Sequence, residues 1–122
     1  VKQTADGEEL RVTRDEWTNV CPIFSPDDQR ILYSSQREGN AGLYVIPVLG
    51  GAAVPLKIVG QGEVFPRYWS KDGAAVFYEY QGNLFRFDLA ARESVQITDF
   101  AAAPGTERQF SFSPDENRIA FT

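Results

Sequence analysis

An all-β fold is what this sequence predicts, and three observations carry the expectation. Its apolar residues fall in short runs rich in β-branched and aromatic side chains. Phe65-Pro66-Arg67-Tyr68-Trp69-Ser70, Ala75-Val76-Phe77-Tyr78-Glu79-Tyr80, Leu84-Phe85-Arg86-Phe87-Asp88-Leu89 and Ser94-Val95-Gln96-Ile97-Thr98 are four in succession. Gly, Asp, Asn or an Ala-Arg pair punctuates these runs, the pattern of strands joined by tight turns. The arrangement then repeats: Ser25-Pro26-Asp27-Asp28, Ser70-Lys71-Asp72-Gly73 and Ser113-Pro114-Asp115-Glu116 start 45 and 43 residues apart. Six residues after each of these serines begins the same kind of strand, Ile31-Leu32-Tyr33, Val76-Phe77-Tyr78 and Ile119-Ala120-Phe121. A period of roughly 44 residues with four strands per unit is the range of a β-propeller blade.

Taken in order, residues 1–19 supply the outer half of one blade, its third and fourth strands. Val1 to Thr13 aligns without a gap on Val45 to Lys57, with Asp6-Gly7 as the turn. Residues 20–60 make a full blade and 61–107 a second. Residues 108–122 give the inner half of another, strands one and two. The chain therefore holds under three blades of four antiparallel strands, a partial propeller, where closure usually takes about four to eight. Dimerisation is one way to complete it, since unpaired strand edges at both open ends are adhesive. The other is a longer chain of which these residues are one segment. The first residue is Val1 and the composition has no Met, which suggests an excised or processed piece.

The turn after each inner strand has a mechanical basis. Pro presets φ at the second turn position, Asp suits the third, and a following residue in the left-handed region closes a three-residue hairpin. Gly73 adopts that region freely, Asp28 tolerates it, and Glu116 is strained by it. The spacing predicts one extra residue in the second blade, because Pro22 to Ser25 is shorter than Pro66 to Ser70, and a β-bulge would absorb it.

Ser35 to Gly42 reads as a long loop between the second and third strands of the first full blade, cut to Gln81-Gly82-Asn83 in the next. Such loops share an end with the connections that carry Trp17 and Gln61. Trp17, Arg37, Glu38 and Gln61 are therefore the candidate binding residues, on the end where something could dock. The longest connection, Asp99 to Arg108, is a further contact loop or a solvated insertion.

Composition excludes several classes of function. With 12 Lys and Arg against 17 Asp and Glu, the net charge is −5. The basic residues never occur as neighbours, so no phosphate-backbone footprint exists and no nucleic-acid partner is expected. No apolar run approaches the ~20 residues of a membrane-spanning helix, so membrane insertion is not expected. Cys21 is the single cysteine and reads as a small buried hydrophobe. The sequence has no histidine, which removes a Ser-His-Asp triad, a Cys-His pair and His-ligated zinc. The carboxylate pairs Glu8-Glu9 and Asp27-Asp28 sit in exposed turns and point to opposite faces, unsuited to acid–base work. No catalytic residue, metal ligand or cofactor is assigned, and the chain is not expected to be an enzyme.

Pro22-Ile23-Phe24-Ser25-Pro26-Asp27-Asp28, Ile31-Leu32-Tyr33-Ser34-Ser35, Arg37, Gly39-Asn40 and Leu43-Tyr44-Val45 resemble the WD40-like propeller repeats of the TolB type. Similar repeats occur in the propellers of tricorn-type and prolyl-oligopeptidase-type peptidases. Lys71 in place of Pro, and Asp28 and Glu116 in place of Gly, depart from that pattern in turns only. The resemblance implies about six or seven blades around a channel. It also implies one of two roles: a non-catalytic envelope scaffold that binds a protein or peptide, periplasmic or secreted, or the substrate-gating propeller of a serine peptidase whose catalytic domain lies elsewhere. A metal-dependent lyase propeller is a third possibility, opposed by the missing histidines.

Overall fold

The computed structural model describes residues 2–5, 8–11, 18–99 and 110–121, and every regular element among them is a strand. In chain order these are β1 (Lys2–Ala5), β2 (Glu8–Arg11), β3 (Thr18–Phe24), β4 (Arg30–Arg37), β5 (Asn40–Pro47), β6 (Val54–Gly60), β7 (Val64–Trp69), β8 (Ala75–Tyr80), β9 (Asn83–Asp88), β10 (Glu93–Gln96), β11 (Phe110–Phe112) and β12 (Ile119–Phe121). Two antiparallel meanders, β3-β4-β5-β6 and β7-β8-β9-β10, form four-stranded sheets. The pairs β1-β2 and β11-β12 form two-stranded ones. The fold is thus all-β, with sheets of the blade type and a partial propeller. Trp17, the Asp6-Gly7 turn and most of the connection from Asp99 to Arg108 lie outside the described residues.

Side chains alternate across a strand, so a sheet covered on both faces must be apolar at consecutive positions. In β4, Ile31, Leu32, Tyr33, Ser34 and Ser35 are all buried. Leu32 joins Ala41 and Leu43 against Val64, Trp69, Val76, Tyr78 and Phe87 of the second sheet. Ile31 and Tyr33 point the other way, into a separate cluster with Tyr44 and Ile46. In β8, Val76 and Tyr78 face the first sheet, while Phe77 turns away to meet Phe112 of β11 at 4.9 Å. Tyr68 stacks on Phe112 at 4.3 Å between ring centroids. Each face of the second sheet therefore meets a different neighbour, as in a fan of blades and unlike a two-layer sandwich. At the rim, the Arg92 guanidinium donates to the carbonyls of Pro55 and Leu56 at 3.3 and 3.2 Å, tying the two sheets together.

The three serine turns are copies of one device. Ser25, Ser70 and Ser113 donate their hydroxyls to Asp27, Asp72 and Asp115 at 2.5, 2.7 and 2.6 Å. Each hydroxyl also accepts the amide five residues on, from Arg30, Ala75 and Arg118, at 3.0 Å. The residues expected in the left-handed region are there: Asp28 at φ 59°, Gly73 at 75° and Glu116 at 63°.

Two sequence expectations are corrected. The inner strand of the second blade has no extra residue. Val20 pairs with Ser34 and Ile23 with Leu32, just as Phe65 pairs with Glu79 and Tyr68 with Phe77, so both β3 and β7 carry a bulge at the same place. The two prolines, Pro22 and Pro66, are one position out of step, and aligning them created the false insertion. The Ser35 to Gly42 loop is likewise not a loop. β4 and β5 pair to their ends, from Arg30↔Pro47 to Arg37↔Asn40, across a two-residue turn at Glu38-Gly39. That turn has φ 53° and 82°, the same conformation as Gln81-Gly82 at 55° and 80°. Longer strands account for the extra residues.

Candidate functional site

The serine turns lie at one end of the sheets. By the antiparallel geometry, the β4-β5 hairpin, the β8-β9 hairpin and the connection from β6 to β7 lie at the other. That connection is Gln61-Gly62-Glu63, and both neighbouring sheets pin it. The amide Nε2 of Gln36 donates to the Gly62 carbonyl, and the Tyr80 hydroxyl donates to the Gln61 carbonyl at 2.6 Å. Gly60 and Gly62 take φ of 121° and 100°, which L side chains rarely adopt, so glycines here let the chain double back between the blades.

Between these elements lies a cleft of about 120 Å³. Its first-sheet wall is Ser34, Ser35, Gln36 and Ala41, and its second is Glu63, Val64 and Phe65. Val64 and Ala41 are buried, whereas Glu63 is exposed at the mouth. The walls combine an apolar floor with hydroxyl, amide and carboxylate groups, the mixture a binding pocket uses to hold and orient a group.

Of the residues expected to bind, Arg37, Glu38 and Gln61 occupy this end. Arg37 is half-buried, with Nε donating to Ser35 Oγ at 3.1 Å and its guanidinium 4.0 Å from the centroid of the Tyr44 ring. Glu38 and Gln61 are exposed. Trp17 is outside the described residues. Ser34, Gln36 and Glu63 were missed, because a wall shared by two sheets joins residues about 30 positions apart and leaves no local pattern.

A second feature escaped the sequence reading. Glu79 is wholly buried, and Arg67, in the β7 bulge, donates to its Oε1 from Nε at 3.1 Å and from an Nη at 2.7 Å. The guanidinium also lies 5.1 Å from the centroid of the Phe65 ring. Sequence did hold a signal: Glu79 is a charge among the apolar residues of a strand covered on both faces.

The titratable groups with displaced pKa values lie away from the cleft. Ser hydroxyls and then turn amides hold Asp27, Asp72 and Asp115 below the usual carboxylate value. Burial pushes the Tyr78 phenol up, opposed by its 2.8 Å hydrogen bond with Ser94. Desolvation and the neighbouring Glu116 carboxylate raise that of Tyr68. Among the described residues, no three His, Cys, Asp or Glu side chains gather as a metal centre would require.

No protein-family model matches the chain. An uncharacterized protein of Agrobacterium fabrum is 26% identical over 94% of this chain, which spans 43% of that protein's length. The crystal structure of TolB from Acinetobacter baumannii superposes on 93% of the chain with a TM-score of 0.75 at 19% identity, covering 29% of that protein. An oligogalacturonate lyase in complex with manganese is 27% identical, with a TM-score of 0.52 over 65% of this chain and 22% of its own. These likenesses show a propeller-type, TolB-like fold.

Proposed function

We propose that the chain is part of a non-catalytic propeller scaffold that binds a protein or peptide partner, in the periplasm or as a secreted protein. One observation carries the reading: two adjacent sheets, pinned at one end through Gln36–Gly62 and Tyr80–Gln61, hold a cleft open beneath exposed turn residues. Propellers diversify such ends on a constant frame, so function there is set by the site and not by the fold. Likeness to TolB supports the scaffold reading at the level of fold. The manganese-bound lyase supports a different chemistry, but the sequence has no histidine to offer a metal. A peptidase-gating role remains the alternative reading, and sequence beyond Thr122 bearing a Gly-x-Ser-x-Gly elbow is what would favour it.

Peptides selected by display against the protein test the proposal, with Arg37→Ala, Glu38→Lys and Gln61→Ala as competitors. Loss of binding in these variants is expected. Selected peptides that bind all three variants as well as the parent contradict it. The same reading includes self-association through open blade edges. Among the described residues, β1 pairs with β2 and β12 with β11, so each of β1 and β12 has an edge that another copy could extend. Sedimentation at micromolar concentration decides this, since a well-folded monomer excludes the dimer.

A further inference from the structure

The cleft between the first and second four-stranded sheets has a chemistry more specific than a generic binding surface. Its floor is apolar, from Ala41, Val64 and the Phe65 ring. Its polar side chains are Ser34, Gln36 and Glu63, with Ser35 turned to the other face of β4 toward Arg37, and among the described lining residues the one charge is the Glu63 carboxylate. Glu63 stands exposed at the mouth and makes no ion pair with any described residue. Arg67, the nearest cation in sequence, is held by the Glu79 carboxylate, and Arg37, on the facing strand, does not compete for it either. Ser34 and Gln36 project from one face of β4 and Arg37 from the other, where its guanidinium lies over Tyr44.

An occupant must therefore bring an apolar stem to the floor and a positive charge to the mouth. Lysine has that shape: four methylenes that can lie along apolar surface and a compact ammonium with three donors. The volume, about 120 Å³, is that of roughly four waters, enough for one such side chain and too small for a folded segment. The net charge of −5 favours a cationic partner further. From the geometry we infer that this cleft is a subsite for a single lysine side chain of the partner, an inference that rests on the peptide-scaffold reading above.

The test uses ¹⁵N-labelled protein and capped tripeptides, acetyl-Gly-Lys-Gly-amide and its norleucine, arginine and glutamate counterparts, followed by amide shifts. The lysine peptide should saturate at millimolar concentration and move Ser34, Gln36, Ala41 and Val64. Norleucine and glutamate should bind at least roughly threefold more weakly, the scale of one partly solvated ion pair. Glu63→Gln, at an exposed position where folding is not at stake, should bring lysine down to the norleucine level. Norleucine or arginine binding as well as lysine overturns the inference, as does an unchanged Glu63→Gln affinity or a shift map centred elsewhere. Display-selected peptides separate the two levels of the argument. If they bind at this end without a lysine preference, the subsite fails and the scaffold stands. If none binds at this end, the scaffold reading fails as well.

Discussion

Replacing Leu32 by alanine removes a side chain that belongs to neither sheet alone. Leu32 is fully buried and sits on β4 among residues of both four-stranded sheets, with Trp69, Val76 and Phe87 opposite. The substitution deletes about three methyl or methylene equivalents, roughly 2.5 kcal/mol at ~0.8 kcal/mol each. A cavity term adds to this, because strands fixed on both sides cannot collapse into the space. A loss of about 3 kcal/mol is therefore expected, within the ~2–5 kcal/mol usual for such changes. Urea unfolding followed by tryptophan fluorescence measures it, because Trp69 is in the same cluster. Leu49→Ala is the control: Leu49 is 100% exposed, and its loss should change stability by no more than about 0.5 kcal/mol. If Leu32→Ala costs under about 1 kcal/mol, the side chain is not held between two sheets.

Other substitutions probe single contacts. Glu79→Ala leaves the Arg67 guanidinium facing a buried void and should cost about 2–3 kcal/mol, less than for a fully buried pair because Arg67 is 21% exposed; equal melting temperatures of variant and parent would count against it. Gly73→Val imposes a β-branched side chain at φ 75° with no atom within 4 Å of the new Cβ, so its cost is backbone strain alone, about 1–2 kcal/mol by thermal melt. Asp28→Gly relieves the same conformation and should be neutral or stabilising by up to about 1 kcal/mol. Asp27, Asp72 and Asp115 have folded-state pKa values below the ordinary 3.8, so their contribution is present above that value and lost as pH falls through the lowered one. Carboxyl-carbon NMR titration should place Asp72 below 3.8 and return it toward 3.8 in Ser70→Ala; no movement in that variant removes the hydroxyl as the cause.

Strands and turns were legible in the sequence because their causes are local. Alternation, β-branching and turn chemistry act within a few residues, and the left-handed positions at Asp28, Gly73 and Glu116 follow from turn mechanics alone. The period placed the meanders for the same reason. Register was less legible. Pro22 and Pro66 drew the alignment one residue out of step, since a bulge shifts pairing without a mark on composition. Glu38-Gly39 was hidden in a polar stretch that reads as loop, though paired strands tolerate Ser and Gln where a neighbouring sheet offers partners. The cleft was least legible of all. Ser34 and Glu63 become neighbours only when two sheets fan about a common axis, a relation that no residue within either sheet encodes by itself.

That fan can be tested directly by nuclear Overhauser contacts from the Leu32 and Leu43 methyls. Cross-peaks to Val64, Val76, Tyr78 and Phe87 are predicted, from residues that share one buried cluster across the two sheets. Contacts instead to Phe77 and Leu84, on the reverse face of the second sheet, or to the first sheet alone, contradict the side-by-side arrangement of the blades.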